Sequence, residues 1–180
     1  LHIHAFPDGR AYPCCFALDK YPVGDLNKNS MAEVFNNEDM KGIRKNMLSN
    51  KASKHCTKCY DQEKSGFFSL RLSSNKHVGH NIGMVDDTQP DGSADFVIKY
   101  WDIRFSNLCN LACRSCGTWF SSNWYEDHKK LTGAPPNHAK IMKVGRSSND
   151  IWEQMLQQFE HVEQFYFAGG EPIIMEEHYR

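Results

Sequence analysis

No run of this chain is apolar for long enough to cross a bilayer, which takes roughly 20 such residues. No block of like charge marks a membrane-facing or nucleic-acid-binding surface either. Lys and Arg number 21 against 22 Asp and Glu in 180 residues, so neither nucleic acid nor a membrane is expected as a partner. A secretory leader is also missing, because His2, His4, Asp8 and Arg10 interrupt the first ten residues. A cytoplasmic location is the expectation. There is no initiator Met; Leu1 reads as already inside a strand, and Arg180 follows a second core strand by a few residues. The chain therefore reads as a piece of a longer protein. Repeats and low-complexity segments are lacking. With 40% hydrophobic and 24% charged residues, the composition is that of a globular protein, one ordinary domain or two small ones.

An even cysteine count is missing as well. Seven cysteines cannot pair completely, and a reducing cytoplasm disfavours disulfides. Their grouping is more telling: Cys14 and Cys15 are adjacent, Cys56 and Cys59 form a CxxC, and Cys109, Cys113 and Cys116 form a CxxxCxxC. Clusters of this kind suit metal ligation.

Local patterns place these groups. Residues 1–18 read as a hairpin: Leu1 to Phe6 alternates, Pro7-Asp8-Gly9 is a turn, and Arg10-Ala11-Tyr12 returns, with Cys14 and Cys15 at its end. A polar loop from Asp19 to Asn29 precedes a helix opened by the Ser30/Glu33 capping box and running to about Leu48. Cys56 to Cys59 opens another helix toward Leu72, bent or weakened at Gly66. The polar, turn-rich stretch from Ser73 to Ala94 reads as a linker, with a domain boundary near residue 90. Phe96 to Phe105 reads as a strand, Trp119 to Leu131 as a helix, 132–149 as a loop, and 150–159 as a capped helix. Val162 to Ala168 reads as a second buried strand ending in Gly169-Gly170-Glu171-Pro172. Strand, loop, helix and strand make a βαβ pattern, the unit of parallel sheets and barrels.

The loop Cys109-Asn110-Leu111-Ala112-Cys113-Arg114-Ser115-Cys116 offers three thiolates where a cluster that only carries electrons normally has four. One iron of a 4Fe–4S cluster would stay open to another ligand. The loop also follows a strand, where parallel barrels place their chemistry. CxxxCxxC after one strand and GGEP after the next resemble the radical S-adenosylmethionine superfamily. The resemblance implies an α/β fold in which 91–180 is the start of a partial (β/α) barrel. It implies that Cys109, Cys113 and Cys116 ligate a 4Fe–4S cluster. It further implies that Gly169, Gly170 and Glu171 contact the methionine amino group of S-adenosylmethionine, with Pro172 shaping the turn. Reductive cleavage would yield a 5′-deoxyadenosyl radical that takes hydrogen from a substrate. The family often has an aromatic residue before the third cysteine; here Ser115 stands there, leaving the adenine contact to Trp119 or Phe120 or unassigned. A competing reading is zinc held by Cys109, Cys113, Cys116 and His128, which leaves the GGEP turn a coincidence.

The first segment resembles the SPASM and twitch auxiliary domains through DG followed by YPCC, then GD, EVF and CxxC. The resemblance implies that residues 1–90 are a small α+β domain preceding the barrel, with a second, auxiliary 4Fe–4S cluster on Cys14, Cys56 and Cys59. Its fourth ligand is either Cys15 or an upstream residue. A zinc ribbon from the same cysteines is the bland alternative. His2, His4 and His55 are close in sequence, but packing or exposed histidines are commoner than ligands, and they are left out of the set. The resemblance implies an unidentified substrate, a peptide being one class, and an electron donor such as flavodoxin or ferredoxin. Since the barrel needs several more strands, these 180 residues are expected to be inactive alone. The runner-up function is a non-catalytic zinc- or iron–sulfur-binding module that recognises another protein.

Overall fold

The computed structural model describes residues 2–145 and 150–179. The expected strand start at Leu1, the end of the 132–149 loop and the terminal Arg180 lie outside the described residues. The centre is a mixed five-stranded sheet of β1 (His2–Ala5), β2 (Arg10–Tyr12), β3 (Gly24–Asp25), β4 (Tyr100–Ile103) and β5 (Gln164–Phe167). Its order is β3-β2-β1-β4-β5. The β1–β2 and β2–β3 pairs are antiparallel, and β1–β4 and β4–β5 are parallel.

The expected hairpin forms as its turn chemistry dictates. Gly9 has φ +96°, a conformation that favours glycine, and Phe6 N donates to Arg10 O at 2.9 Å across the turn. The capping box is present in full: Ser30 Oγ accepts from Glu33 N, and Ser30 N donates to Glu33 Oε2 at 2.7 Å. The helix expected from Ser30 to Leu48 is, however, two: α1 (Met31–Phe35) and α2 (Glu38–Leu48). Asn37 caps α2 by accepting from Met40 N, and so starts a new helix.

The next expected helix is also split. A 3-10 turn (Lys54–Cys56) leads into α3 (Thr57–Lys64), which stops before Gly66 at φ +81°. Ser69 then caps α4 (Leu70–Val78). This corrects the linker expected from Ser73 to Ala94, since α4 and a 3-10 segment, Gly79–Val85, occupy most of it. After β4 come α5 (Tyr125–Thr132) and α6 (Ile151–Leu156). The β5 strand, expected to be buried, is largely exposed: it lies at the sheet edge, and Tyr166 keeps 51% of its surface.

Strand alternation sorts side chains to two faces. Ile3, Ala5, Trp101, Ile103 and Phe105 join one core with Val34, Phe35, Ile43, Ile98, Ile151 and Met155. His2, His4, Tyr100 and Asp102 belong to the opposite face by alternation. Strands from both sides of residue 90 thus share one sheet and one core. The Gly92 turn beside the expected boundary is tied to α2, with Arg44 Nε donating to Gly92 O at 2.6 Å and Lys41 pairing with Asp91 at 2.9 Å. Among the described residues, no helix is long and apolar enough to cross a membrane.

Candidate iron–sulfur sites

The first thiol group is assembled from two elements. Cys14 follows β2, and Cys56 and Cys59 flank the start of α3. Cys59 is buried, and Cys14 and Cys56 are half-buried. Burial pushes the Cys14 thiol up, and Cys59 and Asp102 push it further. Cys56 is raised first by burial and then by Cys14 and Cys59. The three thiols are therefore near enough to repel one another as thiolates. Cys14 and Cys56 are thereby favoured as neutral thiols without a metal, so loading a cation there releases protons. Cys56 occupies the N-cap of α3 with no side-chain cap hydrogen bond, where the helix dipole favours a thiolate.

Cys15 takes another direction, as expected of adjacent residues on extended chain. Its thiol is pushed up to about 12, first by loss of solvent and then by the Asp102 carboxylate, although the residue as a whole keeps an exposed face.

The second group lies beyond the C-terminal end of β4. Cys109 and Cys116 are half-buried and Cys113 is exposed; burial raises Cys116, as do Cys109 and Cys113. The loop is braced by 121–124. Cys109 N donates to Ser122 Oγ at 3.1 Å, Ser121 Oγ to Leu111 O at 2.7 Å, and Trp124 Nε1 to Cys113 O at 3.0 Å. Leu111 N donates to Cys109 Sγ at 3.3 Å.

Asn107 escaped the sequence reading. It is fully buried, donates to Thr118 O and Lys140 O, and accepts from Met142 N at 2.8 Å. It thus staples two later loops beneath the cysteine loop. A polar residue directly after a strand was its only sequence signal.

The Gly169-Gly170-Glu171-Pro172 turn follows the parallel neighbour β5, and it packs against the root of the cysteine loop. Glu171 N donates to Leu108 O at 2.8 Å and Gly170 N to Phe120 O at 2.9 Å. Both glycines have positive φ, +81° and +56°. A Cβ on Gly170 would sit 2.1 Å from Leu108 O, and one on Gly169 would sit 2.6 Å from Arg104 Cβ. The glycines are thus required by this loop-to-loop approach, whatever the turn binds. Trp119 and Phe120 are engaged within the chain: Trp119 lies 4.5 Å from the His138 ring, and Phe120 contacts both the Phe6 ring and the Arg104 guanidinium.

Among the described residues, the one group with three donor atoms all within 4.8 Å of one another is His2, His4 and Asp102. Neither cysteine group nor His128 is drawn together as tightly. A single zinc ion with Zn–S of about 2.3 Å needs its donors about 4 Å apart, whereas a four-iron cube holds its thiolates further apart.

Residues 2–60 match the family model of SPASM, an iron-sulfur cluster-binding domain. Comparison with curated proteins and with solved structures returned no match. The matched segment spans the hairpin, the first two helices and the CxxC. This match is consistent with a protein of the SPASM/twitch radical S-adenosylmethionine type, in which residues 2–60 bind an iron–sulfur cluster.

Proposed function

We propose that this chain carries the radical-generating opening of an S-adenosylmethionine enzyme, preceded by an auxiliary cluster domain. The supporting observation is the contact between the two motifs. CxxxCxxC and GGEP stand at the same ends of adjacent parallel strands, and the backbone of Glu171 is hydrogen-bonded to Leu108, next to Cys109. In this reading residues 1–90 are the auxiliary domain, and 91–180 begin a partial (β/α) barrel.

Cys109, Cys113 and Cys116 hold the 4Fe–4S cluster and leave one iron open. Gly169, Gly170, Glu171 and Pro172 form the wall of that opening and receive the methionine end of S-adenosylmethionine. When bound, the cluster supplies the single electron that cleaves the sulfonium. Ser121, Ser122 and Trp124 would hold the loop backbone as the thiols lose their protons to solvent on ligating iron. Cys14, Cys56 and Cys59 hold the auxiliary 4Fe–4S cluster. A flavodoxin- or ferredoxin-like donor supplies the electron, and a peptide is the substrate class the domain type suggests.

Reconstitution of the intact gene product with iron and sulfide under anaerobic conditions, followed by reduction, tests the reading. Adding S-adenosylmethionine then releases 5′-deoxyadenosine and methionine. Cys113→Ala abolishes that release and keeps the auxiliary cluster. A colourless protein that takes up only zinc sinks the proposal.

A further inference from the structure

The sheet face opposite the main core carries a second metal-competent constellation that neither cysteine motif uses. His2 and His4 lie on β1, on the same face, and Asp102 is the register partner of His4 on β4. His4 Nδ1 lies 3.0 Å and His2 Nε2 3.9 Å from Asp102 Oδ2. All three ligand atoms fall within 4.8 Å of one another. His4 is 1% exposed and Asp102 is fully buried.

These atoms are poorly satisfied. His2 Nε2, both ring nitrogens of His4 and both oxygens of Asp102 are buried with no aligned hydrogen-bond partner. Even the 3.0 Å approach of His4 to Asp102 lacks the alignment of a hydrogen bond. Leaving a buried polar atom unpaired costs about 1–3 kcal/mol, more when charged, so the three that converge, one from each residue, call for a common partner. The Arg104 guanidinium acts on Asp102 through charge alone and lies over the Phe6 and Phe120 rings at 5.4 and 4.8 Å.

We propose that His2, His4 and Asp102 bind one divalent first-row metal ion, such as zinc or ferrous iron, through ligands other than the cysteines and beside Cys14 and Cys15. Ligand bonds of about 2.0–2.2 Å set donor atoms about 3–4 Å apart, and the two measured separations to Asp102 fall in that range. Two imidazoles and one carboxylate leave further positions open, the pattern of catalytic zinc and of non-haem ferrous sites. His4 ligates through Nδ1 and His2 through Nε2. Because the ligands come from β1 and β4, the ion clamps the strand pair that joins the SPASM segment to the cysteine loop.

Zinc and cobalt(II) are the probes, titrated into the intact chain with its clusters reconstituted and into a variant with Cys14, Cys56, Cys59, Cys109, Cys113 and Cys116 replaced by Ser. Both forms take up one equivalent beyond any cluster metal, and melting shifts upward with metal. His4→Ala and Asp102→Asn each lose that equivalent and its thermal shift. His2→Gln, at the partly exposed rim, weakens binding at least tenfold and keeps the circular dichroism of the folded chain, should the other variants not fold. The proposal is overturned if neither the reconstituted wild type nor the six-serine variant takes up an equivalent beyond its cluster metal. It is equally overturned if His2→Gln and Asp102→Asn bind metal as the wild type does.

Discussion

Three glycine-to-alanine exchanges separate backbone strain from steric overlap at the GGEP turn. At Gly117, beside Cys116, an added Cβ meets nothing within 4 Å and the φ is ordinary. At Gly133, which terminates α5, φ is +75° and the space is open. At Gly170, φ is +56° and the Cβ would fall 2.1 Å from Leu108 O and 2.6 Å from Met175 Cε. Gly117→Ala is therefore neutral or slightly stabilising, through a less flexible unfolded chain. Gly133→Ala costs about 1–2 kcal/mol for a left-handed residue bearing a Cβ. Gly170→Ala adds an overlap of about 1–3 kcal/mol to that strain, because a backbone carbonyl cannot swing aside as a side chain does. At about 2–4 °C per kcal/mol for a chain of this size, the melting points fall in the order Gly117→Ala, Gly133→Ala, Gly170→Ala. The last drops by about 6–12 °C if its total cost is about 3 kcal/mol. Thermal circular dichroism reads stability, and iron and sulfide content after anaerobic reconstitution reads the loop. Gly170→Ala also lowers iron at the Cys109 loop, since it displaces Leu108, while Gly133→Ala leaves iron unchanged. Equal melting points for Gly170→Ala and Gly133→Ala would refute the close approach of the turn to the loop.

Two further outcomes follow from polar contacts. Arg44 is 8% exposed and donates to Gly92 O, Phe35 O and Asn36 Oδ1. Arg44→Ala costs about 2–4 kcal/mol by chemical denaturation, and Arg44→Lys restores little, because a lysine cannot span the same acceptors. Glu163 is held down at about 2, against 4.5, chiefly by its hydrogen bond with His80. A depressed carboxyl pKa stabilises the fold above 4.5, and that contribution is lost as pH falls through about 2. Amide protection of Gly79–Val85, corrected for intrinsic exchange, therefore declines across this window, and Glu163→Gln makes it flat.

What could be read in advance was local. The Pro7-Asp8-Gly9 turn, the Ser30/Glu33 capping box and the strand-then-cysteine order each depend on neighbours within a few residues, and each is present. The break at Asn37 was hidden, because a capping asparagine inside an amphipathic stripe looks like one more polar position. The helical character of 70–85 was hidden by its polar composition. Most important, β1 pairs with β4 in parallel, and no periodicity encodes which distant strand will be the neighbour. That pairing sets His4 against Asp102, so the histidines dismissed as packing residues could not be weighed properly from spacing alone. The GGEP glycines were legible as residues without Cβ, but their reason differs: they admit Leu108 and Arg104.

The β1–β4 pairing also fixes an order of events during synthesis. His2 cannot meet Tyr100 until that residue has left the ribosome. Closing a loop of roughly 95 residues costs about 4 kcal/mol of chain entropy, which β4 must offset on arrival. Contacts so distant in sequence slow folding. Until then β1 presents an open edge, with only the short β2 and β3 beside it, and such edges invite pairing with other chains. Cys14, Cys56 and Cys59 all precede that moment. Under the proposed function, metal captured by these three thiols would hold the nascent first segment together through that interval.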